Sequence, residues 1–315
     1  MQDALANLLS PPVLFFFLGL GAALAKSDLE FPARVAKALA LYLLLAIGYS
    51  GGVELAAEGF TQTAVTILLS ALLLAFLLPL GVYFFLHRNF GRADAAAIAA
   101  TYGSVSAVTF IAAMAFLQKL NIPFSGAMIA AMALMESPAI LVGLWLAKGR
   151  GLPWKLLLRE AVLNGSVVLL LGSLFIGMLS APAAVESLKP FVKGIFPGLL
   201  CLFLLDMGLL CGKRFGDLWR AGARAVVPAL VFPPIHATLA IGLAWLLNFS
   251  QGDALLLAVL AGSASYIAVP AAMRVALPEA NPGIYVPMAL AVTFPFNIIV
   301  GIPLYLTLIN FLWTT

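Results

Sequence analysis

Apolar residues run along this chain in long stretches separated by short polar gaps. A hydrocarbon layer of about 30 Å takes roughly 20 residues of helix to cross, and ten stretches reach or approach that length. They cover about residues 11–26, 35–55, 62–86, 94–118, 124–147, 161–180, 191–212, 225–248, 253–276 and 283–313. This pattern predicts an all-α membrane protein of ten transmembrane helices. The first stretch has no basic segment before it and reads as a retained span, not a cleaved leader.

Two stretches are interrupted by hydroxyls. The fourth contains "YGSVSAV" and the ninth "AGSASYI", and nine residues before each Gly stands an Asp, in "NFGRADA" and "NFSQGDA". At a constant offset of 159, Asn89, Phe90, Asp94, Gly103, Ser104 and Ser106 meet Asn248, Phe249, Asp253, Gly262, Ser263 and Ser265. Near an offset of 160, Gly48 and Gly52 meet Gly208 and Gly212, and Pro138 meets Pro295 two residues short of the main offset. The chain therefore divides into two repeats, residues 1–155 and 156–315. Five spans is an odd number, so the second repeat enters the membrane from the opposite side, and the repeats are inverted.

Inverted repeats with interrupted helices are the arrangement of secondary transporters, whose substrates bind near the midplane where the breaks approach each other. A glycine followed by serines ends one half-helix and caps the next, because Gly accepts unusual backbone angles and Ser oxygens take up free amides. Broken helices 4 and 9 would aim two positive N-terminal ends at one cavity, a setting for a small oxyanion. Small residues also serve close helix packing, which is the structural alternative for one such stretch.

Composition adds that the chain is 63% hydrophobic and 10% charged, with a mean hydropathy of +1.10, so no soluble domain is left over. Fourteen of the 17 Lys and Arg residues, from Lys26 to Arg274, lie in the gaps after odd-numbered spans, against Lys119, Lys189 and Lys193 on the other face. By the positive-inside rule both termini face outside the cytoplasm of an inner (plasma) membrane, and the net charge of +4 reports topology. Cys201 and Cys211 are ten residues apart on one helix, about 15 Å at 1.5 Å per residue, too far to pair.

Charged groups inside spans are costly and usually face a partner or a pathway. Glu136, followed by Ser137 and Pro138, is a candidate for ion coupling, and Asp206 in "LFLLDMGLL" reads as an inward charge or an interhelical tie. Asp94 and Asp253 read as helix caps, His236 as a packing or hydrogen-bonding residue, and Pro270 as a further loosening of the second break. The sequence has no Ser-His-Asp order, no GxxxxGK loop and no CxxC, so the expectation is a carrier driven by an ion gradient and not an enzyme.

Taken together, "KALALYLLLAIGYSGGVEL", "YGSVSAVTF", "MESPAILV", "AGSASYIAVPAAMRVALPEANPGIYVPMAL" and "IVGIPLYLTL" resemble the sodium-dependent bicarbonate transporters of the cyanobacterial SbtA type and their bacterial permease relatives, in order over essentially the whole chain. The resemblance implies a homotrimer, each protomer having a gate part and a core part drawn from both repeats. The core would bind bicarbonate and Na⁺ at two crossed, broken helices and move by an elevator-type mechanism in the lipid. Gly103, Ser104, Ser106, Thr109, Gly262, Ser263, Ala264 and Ser265 would be substrate-binding positions, with Glu136, Ser106 and Ser265 as ion-coupling candidates and no metal beyond Na⁺. The chain departs from the family pattern at Tyr266, where an Asp follows the second serine group, which leaves Na⁺ against H⁺ coupling open. It also has only residues 148–160 where the family has a long cytoplasmic insertion, so control by a PII-like regulatory protein does not carry over. The alternatives are a permease for another small carboxylate or a proton-coupled anion carrier, and, in a different class, a non-transporting receptor or scaffold.

Overall fold

The computed structural model describes residues 8–59, 61–149, 163 and 165–314, and among them every regular element is helical. Arg150, Lys155, Arg159 and the expected boundary between residues 155 and 156 lie outside the described residues. The helices are α1 (Pro11–Leu24), α2 (Ala33–Glu58), α3 (Gln62–Phe90), α4 (Arg92–Gly103), α5 (Ala107–Lys119), α6 (Ala127–Lys148) and α7 (Gly165–Leu179). They continue as α8 (Pro182–Lys189), α9 (Phe196–Ala221), α10 (Ala223–Leu246), α11 (Gln251–Gly262), α12 (Ala268–Ala276) and α13 (Pro282–Trp313). A helix coincides with each of the ten apolar stretches. Among the described residues, seven helical segments are long and apolar enough to cross a membrane, with α4 and α5 counted as one and α8 joined to α9, while α1, α7 and α11 are shorter at 14, 15 and 12 residues.

The short helices are placed by glycines. Gly48 and Gly52 bring α2 against the backbone of α7 at Leu170 and Leu174, and Gly208 and Gly212 bring α9 against α1 at Phe16 and Leu20. On the partner helices Gly177 meets the Tyr49 carbonyl and Gly19 the Leu205 carbonyl. A Cβ at Gly48 would stand 2.6 Å from Leu170 O, so only glycine permits the approach. The glycines that sequence matches at an offset of 160 thus do the same work in two helix pairs.

A second group, α3, α4, α6, α10, α11 and α13, packs around the two breaks. Proline supports each break from outside. A Cβ on Gly103 would meet Pro79 Cδ of α3 at 2.5 Å, and one on Gly262 would meet the Pro233 carbonyl of α10 at 2.8 Å. α6 runs unbroken through Pro138, and Pro270 sits in the first turn of α12, where its missing N–H has no intrahelical partner to lose, so it does not loosen the second break. α13 carries two π-helical turns, Met288–Thr293 and Asn297–Gly301, on either side of Pro295.

The two Asp residues matched by the repeat do not cap their own helices. Ser250 caps α11, accepting from the Asp253 amide at 3.1 Å, and α4 begins after Gly91 with φ of 75°. The carboxylates instead reach distant loops. Asp94 Oδ1 accepts from the Asn281 amide before α13, and Asp253 Oδ1 from the Ser125 amide before α6, each at 2.7 Å. Each Asp lies in one half of the sequence and its loop in the other.

Candidate functional site

The chain breaks at residues 104–106 between α4 and α5 and at residues 263–267 between α11 and α12. The two helices end in the same way: Ser104 has φ −90° and ψ 179°, Ser263 φ −93° and ψ 175°. The breaks touch. The Ser106 amide donates to Ser263 Oγ at 2.9 Å, and the Ser265 amide donates to the Thr101 carbonyl at 2.9 Å, so each break satisfies a group of the other. All four serines are at least 96% buried, and a buried amide without an acceptor would cost about 1–3 kcal/mol. These cross-bonds are what allow both helices to be interrupted in an apolar interior.

Most of the remaining polar atoms are used in holding the breaks. Ser104 Oγ donates to the Glu136 carbonyl at 3.1 Å, Ser263 Oγ donates to the Leu260 carbonyl at 3.0 Å, and Thr109 Oγ1 donates to Ser106 Oγ at 2.9 Å. Asn297, in the second π-helical turn, donates through Nδ2 to the Gly262 carbonyl at 2.8 Å and accepts from Tyr305 Oη at 2.9 Å. Tyr102 pairs with Thr293 at 2.7 Å, and Thr293 reaches the Ala229 carbonyl. Sequence reasoning had no means to single out Asn297, Thr293, Tyr102 or Tyr305, because none belongs to the repeated pattern. His236 is buried, stacks on Phe232 with ring centres 5.5 Å apart and bonds the Ala261 backbone.

A cavity of about 470 Å³ opens beside the breaks. One wall is residues 105–108 and 265–268 together with Glu136 of α6. The other is α2, α7 and α9, from which Asp206 and Met207 face inward, and Lys37 stands at the edge. Of the eight positions expected to bind substrate, Ser106 and Ser265 line this cavity, as does the ion-coupling candidate Glu136. Gly103, Ser104, Thr109, Gly262, Ser263 and Ala264 are buried behind them in the packing and hydrogen bonds of the breaks.

The cavity wall keeps free valences where the two helix N-termini meet it. In α5, Ser106 Oγ takes the Thr109 amide and Ser106 O the Phe110 amide, while the Ala107 and Val108 amides have no acceptor among the described residues. In α12, Ser265 Oγ takes the Val269 amide at 3.3 Å. Both hydroxyls act as acceptors in these caps; the Ser106 hydroxyl is also bonded to the Tyr266 hydroxyl, while Ser265 keeps its own proton to donate. Amides and a hydroxyl proton at two helix N-termini suit an anion.

Tyr266 enters this wall too. Its hydroxyl bonds the Ser106 hydroxyl and lies 3.5 Å from Met207 Sδ, and its ring packs edge-on to Phe294 at 5.7 Å, so on this side of the cavity it spans from the first break to α9.

The Na⁺-dependent bicarbonate transporter superfamily model matches residues 11–310, nearly the whole chain. The chain belongs to that superfamily. With its seven long apolar helices it is an integral membrane protein of transporter lineage, and a small anion is the substrate its superfamily implies. No curated protein is significantly similar to it in sequence. The superfamily match spans both helix breaks, the Glu136 segment and the π-helical turns of α13, so every part of the cavity described above lies within it.

Proposed function

We propose that this chain is a secondary active transporter that takes up bicarbonate together with Na⁺, and that it is built as two inverted five-helix repeats. The reading rests above all on the paired breaks, each completing the hydrogen bonding of the other while leaving amides and the Ser265 proton toward a shared cavity. The repeat reading is supported by the matched glycine contacts of α2 with α7 and α9 with α1, the equal backbone angles at Ser104 and Ser263, and the two Asp-to-loop bonds.

In this reading the Ala107 and Val108 amides and the Ser265 hydroxyl hold the anion, and Ser106 joins them by turning its proton from Tyr266 to the anion. Dipoles alone contribute up to roughly 2 kcal/mol when partly buried, less than the several kcal/mol that desolvating an unpaired ion costs, so direct hydrogen bonds and a co-bound cation supply the remainder. Na⁺ is cargo here, and Glu136 with the Ser265 oxygen gives it hard oxygen ligands, whereas Ser106 Oγ, already accepting from the Thr109 amide and hydroxyl, would ligate it only by giving up one of those bonds. α1, α2, α7 and α9 act as the gate part and the helices around the breaks as the moving core of an elevator, with a homotrimer as the assembly.

The cavity at the breaks reaches Lys37, on the face rich in basic residues, so this conformation faces the cytoplasm when both termini lie outside. A separate cavity of about 520 Å³ opens on the other face around Glu54, Asn121 and Lys193 and extends inward to Ile47 and Met114. Between the two, α2 and α5 offer only about one turn of apolar wall, at Leu44 and Ile111 on one side and Ile47 and Met114 on the other.

The direct test is uptake of labelled bicarbonate into proteoliposomes with and without an inward Na⁺ gradient. Gradient-dependent accumulation is expected, and equal background flux under both conditions rejects the proposal. Ser106→Ala and Ser265→Ala are each expected to weaken bicarbonate binding, and unchanged affinity in both would remove the assignment of these hydroxyls. Steep dependence on pH without a response to Na⁺ would favour proton coupling through Glu136.

A further inference from the structure

Opposite the breaks, α9 presents a buried acid that the binding scheme above does not use. Asp206 is 4% exposed and lines the cavity, and its Oδ2 has no hydrogen-bond partner among the described residues. An unpaired buried carboxylate oxygen is costly, so its persistence calls for an explanation in terms of what enters the cavity. Its neighbour Met207 touches the Tyr266 hydroxyl, which adjoins Ser106, and the Asp206 carboxylate is close enough to that hydroxyl to act on it electrostatically. A small ligand in the cavity has the two helix N-termini of the breaks on one wall and the Asp206 oxygen on the other.

Lys213, two turns along α9, acts electrostatically on Asp206, while Lys37 and the Glu136 carboxyl line the same cavity. An anion entering there meets the amides and the Ser265 hydroxyl of the breaks beside the Glu136 carboxyl on one side, and the Asp206 carboxylate on the α9 side. Donors on one wall bind any small oxyanion alike. The acceptor on the opposite wall discriminates, because a carboxylate accepts hydrogen bonds and cannot donate them.

We propose that Asp206 is a specificity-determining residue that accepts a hydrogen bond from the O–H of a protonated oxyanion, so that the cavity selects donor-bearing anions over donor-free anions of the same shape and charge. The assignment rests on reading the cavity as an anion site. It narrows the ligand class to the singly protonated anions of polybasic acids. Bicarbonate carries such a donor. Nitrate has the same planar three-oxygen frame and charge without it, and meets Asp206 lone pair to lone pair.

The experiment compares sodium bicarbonate with sodium nitrate on the full chain in detergent, by calorimetric or thermal-shift titration at constant Na⁺ and ionic strength. Sites built to bond a ligand O–H reject analogues lacking it strongly, so bicarbonate is expected to bind at least about tenfold more tightly than nitrate. Asp206→Asn keeps the shape and places an N–H in the cavity, and is expected to narrow that ratio at least about fivefold, chiefly by gaining nitrate affinity. Equal binding of the two anions to the unaltered protein overturns the proposal, as does an unchanged ratio in a folded Asp206→Asn variant. If the variant does not fold, the ratio in the unaltered protein decides alone. Failure of both anions to bind the unaltered protein removes the anion-site reading itself, whereas bicarbonate binding with an unaltered ratio removes only the role given to Asp206.

Discussion

Ser263→Ala tests the contact that joins the two breaks. Ser263 Oγ accepts from the Ser106 amide at 2.9 Å and donates to the Leu260 carbonyl at 3.0 Å, at a position only 1% exposed. Alanine fits the space but leaves the Ser106 N–H buried without its acceptor. The Leu260 carbonyl suffers less, because it also receives the Ser263 amide at 3.4 Å. One orphaned buried donor costs about 1–3 kcal/mol. That is about 5- to 150-fold in the equilibrium between aligned and loosened breaks.

The assay has two readouts, the thermal transition of the purified protein and the concentration dependence of bicarbonate uptake. Ser263→Ala is expected to lower the transition and to weaken apparent affinity, although Ser263 does not line the cavity. Ser250→Ala is the matched control, since it removes a cap at the far end of the same α11 helix. It is expected to cost about 1 kcal/mol of stability while leaving affinity unchanged. Wild-type behaviour of Ser263→Ala in both readouts would refute the claim that the breaks are mutually supporting.

Two further outcomes follow from the packing. Gly208→Ala places a Cβ over the Phe16 carbonyl and 2.7 Å from the Leu20 amide, so α9 must move away from α1; a loss of about 1–3 kcal/mol or more is expected in thermal unfolding. Gly81→Ala in α3, where a Cβ meets nothing within 4 Å, is the control and is expected to be neutral or slightly stabilising. Asp253→Ala and Asp94→Ala each remove a charged acceptor from one loop amide, and hydrogen exchange is expected to accelerate at Ser125 in the first and at Asn281 in the second. The Asp253 variant should lose more stability, because that side chain is buried and also bonds Ser250.

How much of this was legible in the sequence depended on whether the physical cause was local. The helix breaks were legible, since Gly-Ser-x-Ser in an apolar stretch has a local reason to stop a helix and that reason appears twice. The glycine-mediated approaches of α2 to α7 and α9 to α1 were legible only as a repeated spacing, because the backbone that each glycine meets belongs to a helix far away in the chain. Asp94 and Asp253 were misread for the same reason. Their position beside a helix start mimics a cap, but their partners lie 187 and 128 residues away and are backbone amides, which leave no trace in side-chain pattern. Pro270 was misread because a proline loosens a helix only from the second turn onward, and where α12 begins is set by the break itself. Asp206 was visible as a charge inside a span, but which side of α9 faces the cavity is a property of packing against α1.

The same accounting separates scaffold from site. A polar atom buried in a membrane protein needs a partner, and around the breaks nearly every one has it: Ser104 with Glu136 O, Ser263 with Ser106 N, Asn297 with Gly262 O and Tyr305. Those residues are committed to shape, so they cannot also be the main ligands of a transported ion without coming apart. The valences left over are the Ala107 and Val108 amides, the proton of Ser265, the Glu136 carboxyl and the Asp206 oxygen, and these line one cavity. The donors and the Glu136 carboxyl stand on one wall and the Asp206 oxygen on the other. An ion that satisfied only the donors would leave Asp206 as exposed to repulsion as before, whereas an oxyanion with one O–H completes both walls at once.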